Sequence, residues 1–175
     1  MLRQALILAT ALLTIAAAPA KPRPKPAAAK PAAAAFDARD PASLISVLAS
    51  AGAKGQVARN DADQVFVTVT SVAANFSVQF VECDAQGRAC KAALFDNLSD
   101  QGAPTYAQLN GFTQTSVMCR AYEDRSGKPH VVYSTLLFAD GARQHLLTQL
   151  AAWQGCIGEF QRFVKDPAGY LASAP

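Results

Sequence analysis

N-F-S-V-Q-F-V-E-C-D-A-Q-G-R-A-C-K-A-A-L-F-D, residues 75–96, holds two strand signatures around one turn. Phe76, Val78 and Phe80 alternate with Ser77, Gln79 and Val81, the period of a half-buried strand. Asp84-Ala85-Gln86-Gly87-Arg88 is turn chemistry, with Gly87 free to take a positive φ. A second strand follows and carries Ala92 and Leu94. Cys83 and Cys90 stand at the strand ends, one on each side of the turn. The run therefore predicts a hairpin closed by a disulfide.

Working outward, Asp40 can cap a helix with Pro41 at its first position. Leu44, Ile45, Leu48 and Ala49 recur at helical spacing until Gly52. A short strand is expected near Gln56–Arg59 and a turn at Asn60–Asp63. A strand with Val65, Val67 and Val69 on one face comes next. Beyond the hairpin, Asn97–Ala103 reads as a loop. Pro104 opens a helix carrying Tyr106, Leu109, Phe112 and Thr113. Val117, Cys119 and Ala121 then alternate with Met118, Arg120 and Tyr122. A turn at Ser126-Gly127 leads to a strand over His130–Phe138. A long helix from Ala142 to about Lys165 places Leu146, Leu150, Trp153, Ile157, Phe160 and Val164 on one stripe. Pro167 ends it, and a frayed tail is expected over residues 166–175. The order α-β-β-β-β-α-β-β-α, with short turns between strands, predicts an α+β domain over residues 36–165. It would be two-layered, an antiparallel sheet with helices packed on one face.

The first 20 residues resemble a secretory signal. Arg3 supplies the basic start, Ala5–Ala18 the apolar stretch, and Ala18-Pro19-Ala20 a small-x-small cleavage site. The apolar stretch is shorter than the roughly 20 residues a membrane span needs, so no span is expected in the mature form. Residues 21–35, K-P-R-P-K-P-A-A-A-K-P-A-A-A-A, read as a Pro/Ala/Lys-rich linker without the side chains to build a core. Residues 21–40 carry five Lys/Arg against two Asp. Residues 41–175 carry ten Lys/Arg against eleven Asp/Glu. The positive charge thus belongs to the leader and linker, and a nucleic-acid partner is not expected. The predicted location is periplasmic or secreted.

In that setting an even number of cysteines points to disulfides. The hairpin pairs Cys83 with Cys90. Cys119 and Cys156 are left, either bonded strand-to-helix or as free buried thiols. C-x6-C followed by two lone cysteines matches no common zinc pattern, so no metal is expected.

No nucleophile elbow, P-loop or dinucleotide glycine run is present, and neither a catalytic set nor a cofactor is expected. His130 and His145 read as rim histidines. Asp61/Asp63 and Glu123/Asp124 read as turn residues. Asn75-Phe76-Ser77 and Asn97-Leu98-Ser99 match the glycosylation pattern but carry little weight in a chain of bacterial appearance. Asn110, beside Gly111 in Leu109-Asn110-Gly111-Phe112, interrupts the helical pattern. It reads either as a tie between the helix and its surroundings or, with Phe112, as a partner contact.

F-S-V-Q-F-V-E-C, Cys90 leading into a strand, L-N-G-F, R-A-Y-E-D-R-S-G-K-P-H-V-V-Y and the Trp153 helix ending in F-Q-R-F-V occur in an order that resembles the YbjN domain family, described as bacterial sensory transduction regulators. The chain departs from it in having Thr113 after Phe112, where members often carry an Asn. The resemblance implies a fold similar to type III secretion chaperones, with a surface for a peptide or a second copy, and no catalytic residues. The expected function is an exported, non-enzymatic binding or regulatory module. It would engage a polypeptide, or itself as a homodimer, through a sheet face or groove. The alternative is a structural cell-envelope or stress-related protein tethered by its basic linker.

Overall fold

The computed structural model describes residues 35–174. The expected signal sequence and all but the last residue of the expected linker lie outside the described residues. Helix α1 spans Pro41–Ser50. Asp40 caps it by accepting from the Ala42 N–H at 2.9 Å, with Pro41 preset for the first turn. Leu44, Val47 and Leu48 face inward.

Six strands follow: β1 (Lys54–Asp61), β2 (Gln64–Thr70), β3 (Phe76–Val81), β4 (Ala92–Leu98), β5 (Arg120–Glu123) and β6 (Pro129–Leu136). They form one sheet in the order β1-β2-β3-β4-β6-β5, antiparallel throughout. Helix α2 (Tyr106–Thr115) carries the chain from β4 to β5, so β6 returns to lie beside β4. β1 runs two residues further each way than the expected 56–59 and absorbs Asn60 and Asp61. A bulge at Ala58 accommodates the extra length.

The sheet has one buried face. Val65, Val67, Val69, Val78, Phe80, Ala93, Phe95, Val131 and Tyr133 are buried, while their neighbours in the alternation are partly or fully exposed. In β4 the inward residues are Ala93 and Phe95; Ala92 and Leu94 look the other way. Helix α3 (Arg143–Lys165) lies on the buried face with the expected stripe of Leu146, Leu150, Trp153, Ile157, Phe160 and Val164, joined by Phe163 and Cys156. The chain is thus α+β, with the expected element order and one helix more.

That helix corrects the expected frayed tail. Pro167–Ser173 forms α4. Pro167 closes α3 and also supplies the first residue of α4, while Asp166 caps it by accepting from the Gly169 N–H at 3.0 Å. Tyr170 of α4 packs on Phe112 and Phe163, each at 5.7 Å between ring centroids. Leu171 meets α2 at Gly111, where an added Cβ would lie 3.1 Å from its methyl carbons. Gly111 therefore admits α4 and does not interrupt α2, which is continuous and opens on a capping box between Thr105 and Gln108.

The β3–β4 hairpin forms as expected. Ser77 pairs with Asp96 and Val81 with Ala92. The Asp84 carboxylate accepts from the N–H groups of Gln86 and Arg88 at 3.0 and 2.8 Å, and Gly87 has φ +71°. Cys83 is bonded to Cys90, closing the loop just beyond the strand ends. Cys119 is bonded to Cys156, tying the start of β5 to the middle of α3. Two disulfides indicate an oxidising, extracytoplasmic setting. Among the described residues no helix is long and apolar enough to cross a membrane.

Another turn residue has a large predicted effect. Gly102, in the β4–α2 loop, has φ +74°, and a Cβ there would overlap the Val164 carbonyl oxygen. Gly102→Ala should therefore cost more than the roughly 1 kcal/mol of a simple left-handed penalty, read as a lowered urea midpoint.

Candidate functional site

Three segments far apart in sequence meet at one end of the buried layer. The end of α1 brings Val47, Leu48 and Ala51. The β2–β3 loop brings Ser71–Ala73 and then Phe76. α3 brings Leu147, Leu150, Ala151, Trp153 and Gln154. Together with Gly52 and Ala53 they enclose a hollow of about 330 Å³. A smaller hollow of about 190 Å³ shares Ser71, Ala73, Phe76 and Gln154 with it and extends along α3 past Ile157 and Gly158 to Gln161. Neither wall contains a charged side chain.

Local chemistry shapes the lip. The Ser71 hydroxyl donates to the Ala74 carbonyl at 2.7 Å and accepts from the Ala74 N–H at 3.2 Å. This tight turn throws Val72 fully into solvent. Trp153 is fully buried, edge-on to Phe76 at 5.7 Å and tilted against Phe95 at 5.8 Å. Its indole N–H has no acceptor among the described residues.

The residues singled out in the sequence as partner contacts lie elsewhere. Asn110 is exposed on α2, and among the described residues its side chain makes no hydrogen bond. Phe112 has no exposed surface and belongs to the core, against Phe160 and Phe163. A buried ring of this kind offers nothing to a partner. Asn97 is also buried, and its amide donates to the Asn75 carbonyl at 2.7 Å, which removes it as a glycan acceptor.

The opposite, open face of the sheet holds a polar cluster the sequence did not announce. Asp96 on β4 receives the Tyr122 hydroxyl at 2.8 Å on one oxygen and sits 2.7 Å from His130 Nδ1 on the other. Tyr122 stacks on His130 at 4.7 Å, and Asp124 lies 3.5 Å from His130 Nε2. Burial, followed by the hydrogen bond to Asp96, pushes the Tyr122 phenol far above its ordinary pKa. His130, expected as a rim histidine, is a half-buried link between β4, β5 and the turn after it; His145 is exposed as expected. The two bonds to Asp96, from Tyr122 and His130, tie β4, β5 and β6 together. Among the described residues no group of His, Cys, Asp and Glu is arranged to hold a metal ion.

Asp124 is the turn residue expected. Its carboxylate accepts from the N–H groups of Lys128 and Ser126 and from the Ser126 hydroxyl, and these bonds lower its pKa from 3.8 to about 2. A depressed folded pKa stabilises the turn fully above about pH 4 and loses that contribution as the pH falls toward 2. Amide exchange at Ser126 and Lys128 should accelerate across that window, relative to the rest of the sheet, and Asp124→Asn should remove the dependence.

No family model, curated protein or solved structure matches the chain.

Proposed function

We propose that this chain is an exported, non-enzymatic binding module of the YbjN type, periplasmic or secreted, that holds an apolar stretch of a polypeptide in the hollow between α1, the β2–β3 loop and α3. The observation that carries the reading is an uncharged cavity of about 330 Å³ walled by aromatic and aliphatic side chains, within the size and character of ligand sites. The two disulfides support the exported setting. The resemblance of the ordered motifs to the YbjN family supports a regulatory or chaperone-like role.

Trp153 is the single tryptophan of the chain and stands in the wall, so its emission reports directly on occupancy. Titration with soluble peptides bearing apolar stretches should shift that emission saturably. Ala151 is exposed at the rim, so Ala151→Glu should weaken binding about tenfold or more while leaving the thermal midpoint within a few degrees. Absence of any saturable shift across a broad set of apolar peptides would sink the proposal.

A further inference from the structure

Among the described residues, two that are not glycine hold a left-handed backbone: Glu82 at φ +52° and Ala89 at φ +53°. Each stands immediately before a cysteine of the β3–β4 loop, and those cysteines, Cys83 and Cys90, are bonded to each other. In this region Cβ crowds the following carbonyl oxygen, and such residues persist only where their surroundings fix them. The turn between them is closed by its own bonds. The Asp84 N–H donates to the Arg88 carbonyl at 2.7 Å, and the Gly87 N–H to the Asp84 carbonyl at 2.8 Å. The loop is thus a rigid turn on two strained joints, held shut by one disulfide. The Cys83 N–H donates to the Asp63 carbonyl at 3.0 Å and the Cys90 N–H to the Arg39 carbonyl at 3.1 Å. These two bonds dock the loop on the β1–β2 turn and on the residue before the α1 cap.

The two sulfurs differ in access: Cys83 is partly exposed, whereas Cys90 has no exposed surface. Cys119–Cys156 is buried at both ends and has no left-handed residue beside either cysteine. Strained or exposed disulfides exchange readily with external thiols, and unstrained buried ones resist them. We propose that Cys83–Cys90 is a reversible redox switch, which holds the β3–β4 loop against the start of α1 and releases it on reduction by a thiol reductant. A thiolate of the reductant attacks Sγ of Cys83, forms a mixed disulfide and expels Cys90 as a thiolate, which takes up a proton. The Cys90 sulfur stands 4.0 Å from the Gly87 carbonyl oxygen, an acceptor for the new thiol. A second thiolate attacks the reductant's sulfur in the mixed disulfide and releases Cys83, which is protonated in turn. Two thiols of the reductant become one disulfide, and two electrons and two protons pass to the cysteines. Glu82 and Ala89 then relax to ordinary backbone and the turn swings on them as a unit. The switch is independent of what the hollow binds.

The test equilibrates the full chain with mixtures of reduced and oxidised glutathione, followed by alkylation, mass mapping and amide exchange. Cys83–Cys90 should open and reclose reversibly across the mixtures, with Cys119–Cys156 intact and the sheet protected. On opening, the Cys83 and Cys90 amides should exchange faster. Ala89→Gly removes the crowding at one joint and should shift the equilibrium about fivefold toward the bond. Ala85→Gly, in the same loop but without a positive φ, adds flexibility alone and should shift it toward the thiols or not at all. The proposal is overturned if the bond stays closed in every mixture that leaves the sheet protected. It is also overturned if opening leaves exchange at Cys83 and Cys90 unchanged, or if Ala89→Gly behaves as Ala85→Gly does.

Discussion

Phe112→Ala is expected to destabilise the domain by about 3–5 kcal/mol. The ring is fully buried, and its centroid lies 5.5 Å from that of Phe160, 4.9 Å from Phe163 and 5.7 Å from Tyr170. These partners sit on α3 and α4, whose positions are held by the rest of the core. The cavity left behind can close only in part, and the contacts of three aromatic rings are lost together. Urea unfolding should show a lowered midpoint with an unchanged slope. Peptide affinity, measured where the variant is folded, should be unchanged. The opposite pattern, lost affinity at full stability, would show Phe112 to be a partner contact after all. Asn110→Ala, at an exposed position two residues away on the other face of α2, should stay within about 0.5 kcal/mol of the parent.

That contrast between Asn110 and Phe112 shows what local sequence conveys. The 3.6-residue stripe from Leu146 to Val164 and the two-residue alternation of Val65, Val67 and Val69 are properties of single elements, and they survive intact in the fold. Phe112 carries the same kind of signal: with Leu109 it marks the inward face of α2. Its aromatic character suits an interface as well as a core, and only the packing of α3 and α4 decides between them. α4 was hidden because a proline that stops one helix looks the same as one that starts the next.

The candidate site was less legible, for a physical reason. Its walls come from residues 47–53, 71–76 and 147–154, joined by no spacing rule. The Asp96–His130 contact likewise depends on the register of β4 against β6, in which Leu98 faces His130 and Asp96 faces Val132. A slip of one residue would turn the two side chains to opposite faces. Val117 shows the limit on a smaller scale. It alternates correctly with Cys119 and Ala121, yet it is 90% exposed. The Ser116 hydroxyl accepts from the Cys119 N–H at 3.0 Å, and the Arg120 guanidinium donates to the Ser116 and Cys119 carbonyls at 3.0 and 2.9 Å. These bonds bend the chain before β5 begins, so the alternation starts two residues later than the pattern suggests.

Replacing Cys119 and Cys156 with serine should cost about 4 kcal/mol, and replacing Cys83 and Cys90 only about 2.5 kcal/mol, on the chain-entropy estimate for sequence separations of 37 and 7. The larger loss also has a structural source. β5 is a four-residue strand at the sheet edge, and the Cys119–Cys156 bond is its covalent tie to α3. Serines there would also bury two hydroxyls where Cys119 is 4% and Cys156 1% exposed. Alanine in both positions separates the two contributions by removing the hydroxyls and keeping the broken tie. Burial further sets the order of reduction. Thiolate attack needs access to sulfur, and Cys83 is partly exposed whereas both partners of the second bond are buried. Under native conditions, rising dithiothreitol should open Cys83–Cys90 first, with the sheet still protected from amide exchange. Cys119–Cys156 should open only with global unfolding. Alkylation and mass mapping of the intermediate distinguishes the orders. If Cys119 and Cys156 label first, or both pairs label together while the core is still protected, the contact between β5 and the middle of α3 opens far more readily than its packing implies.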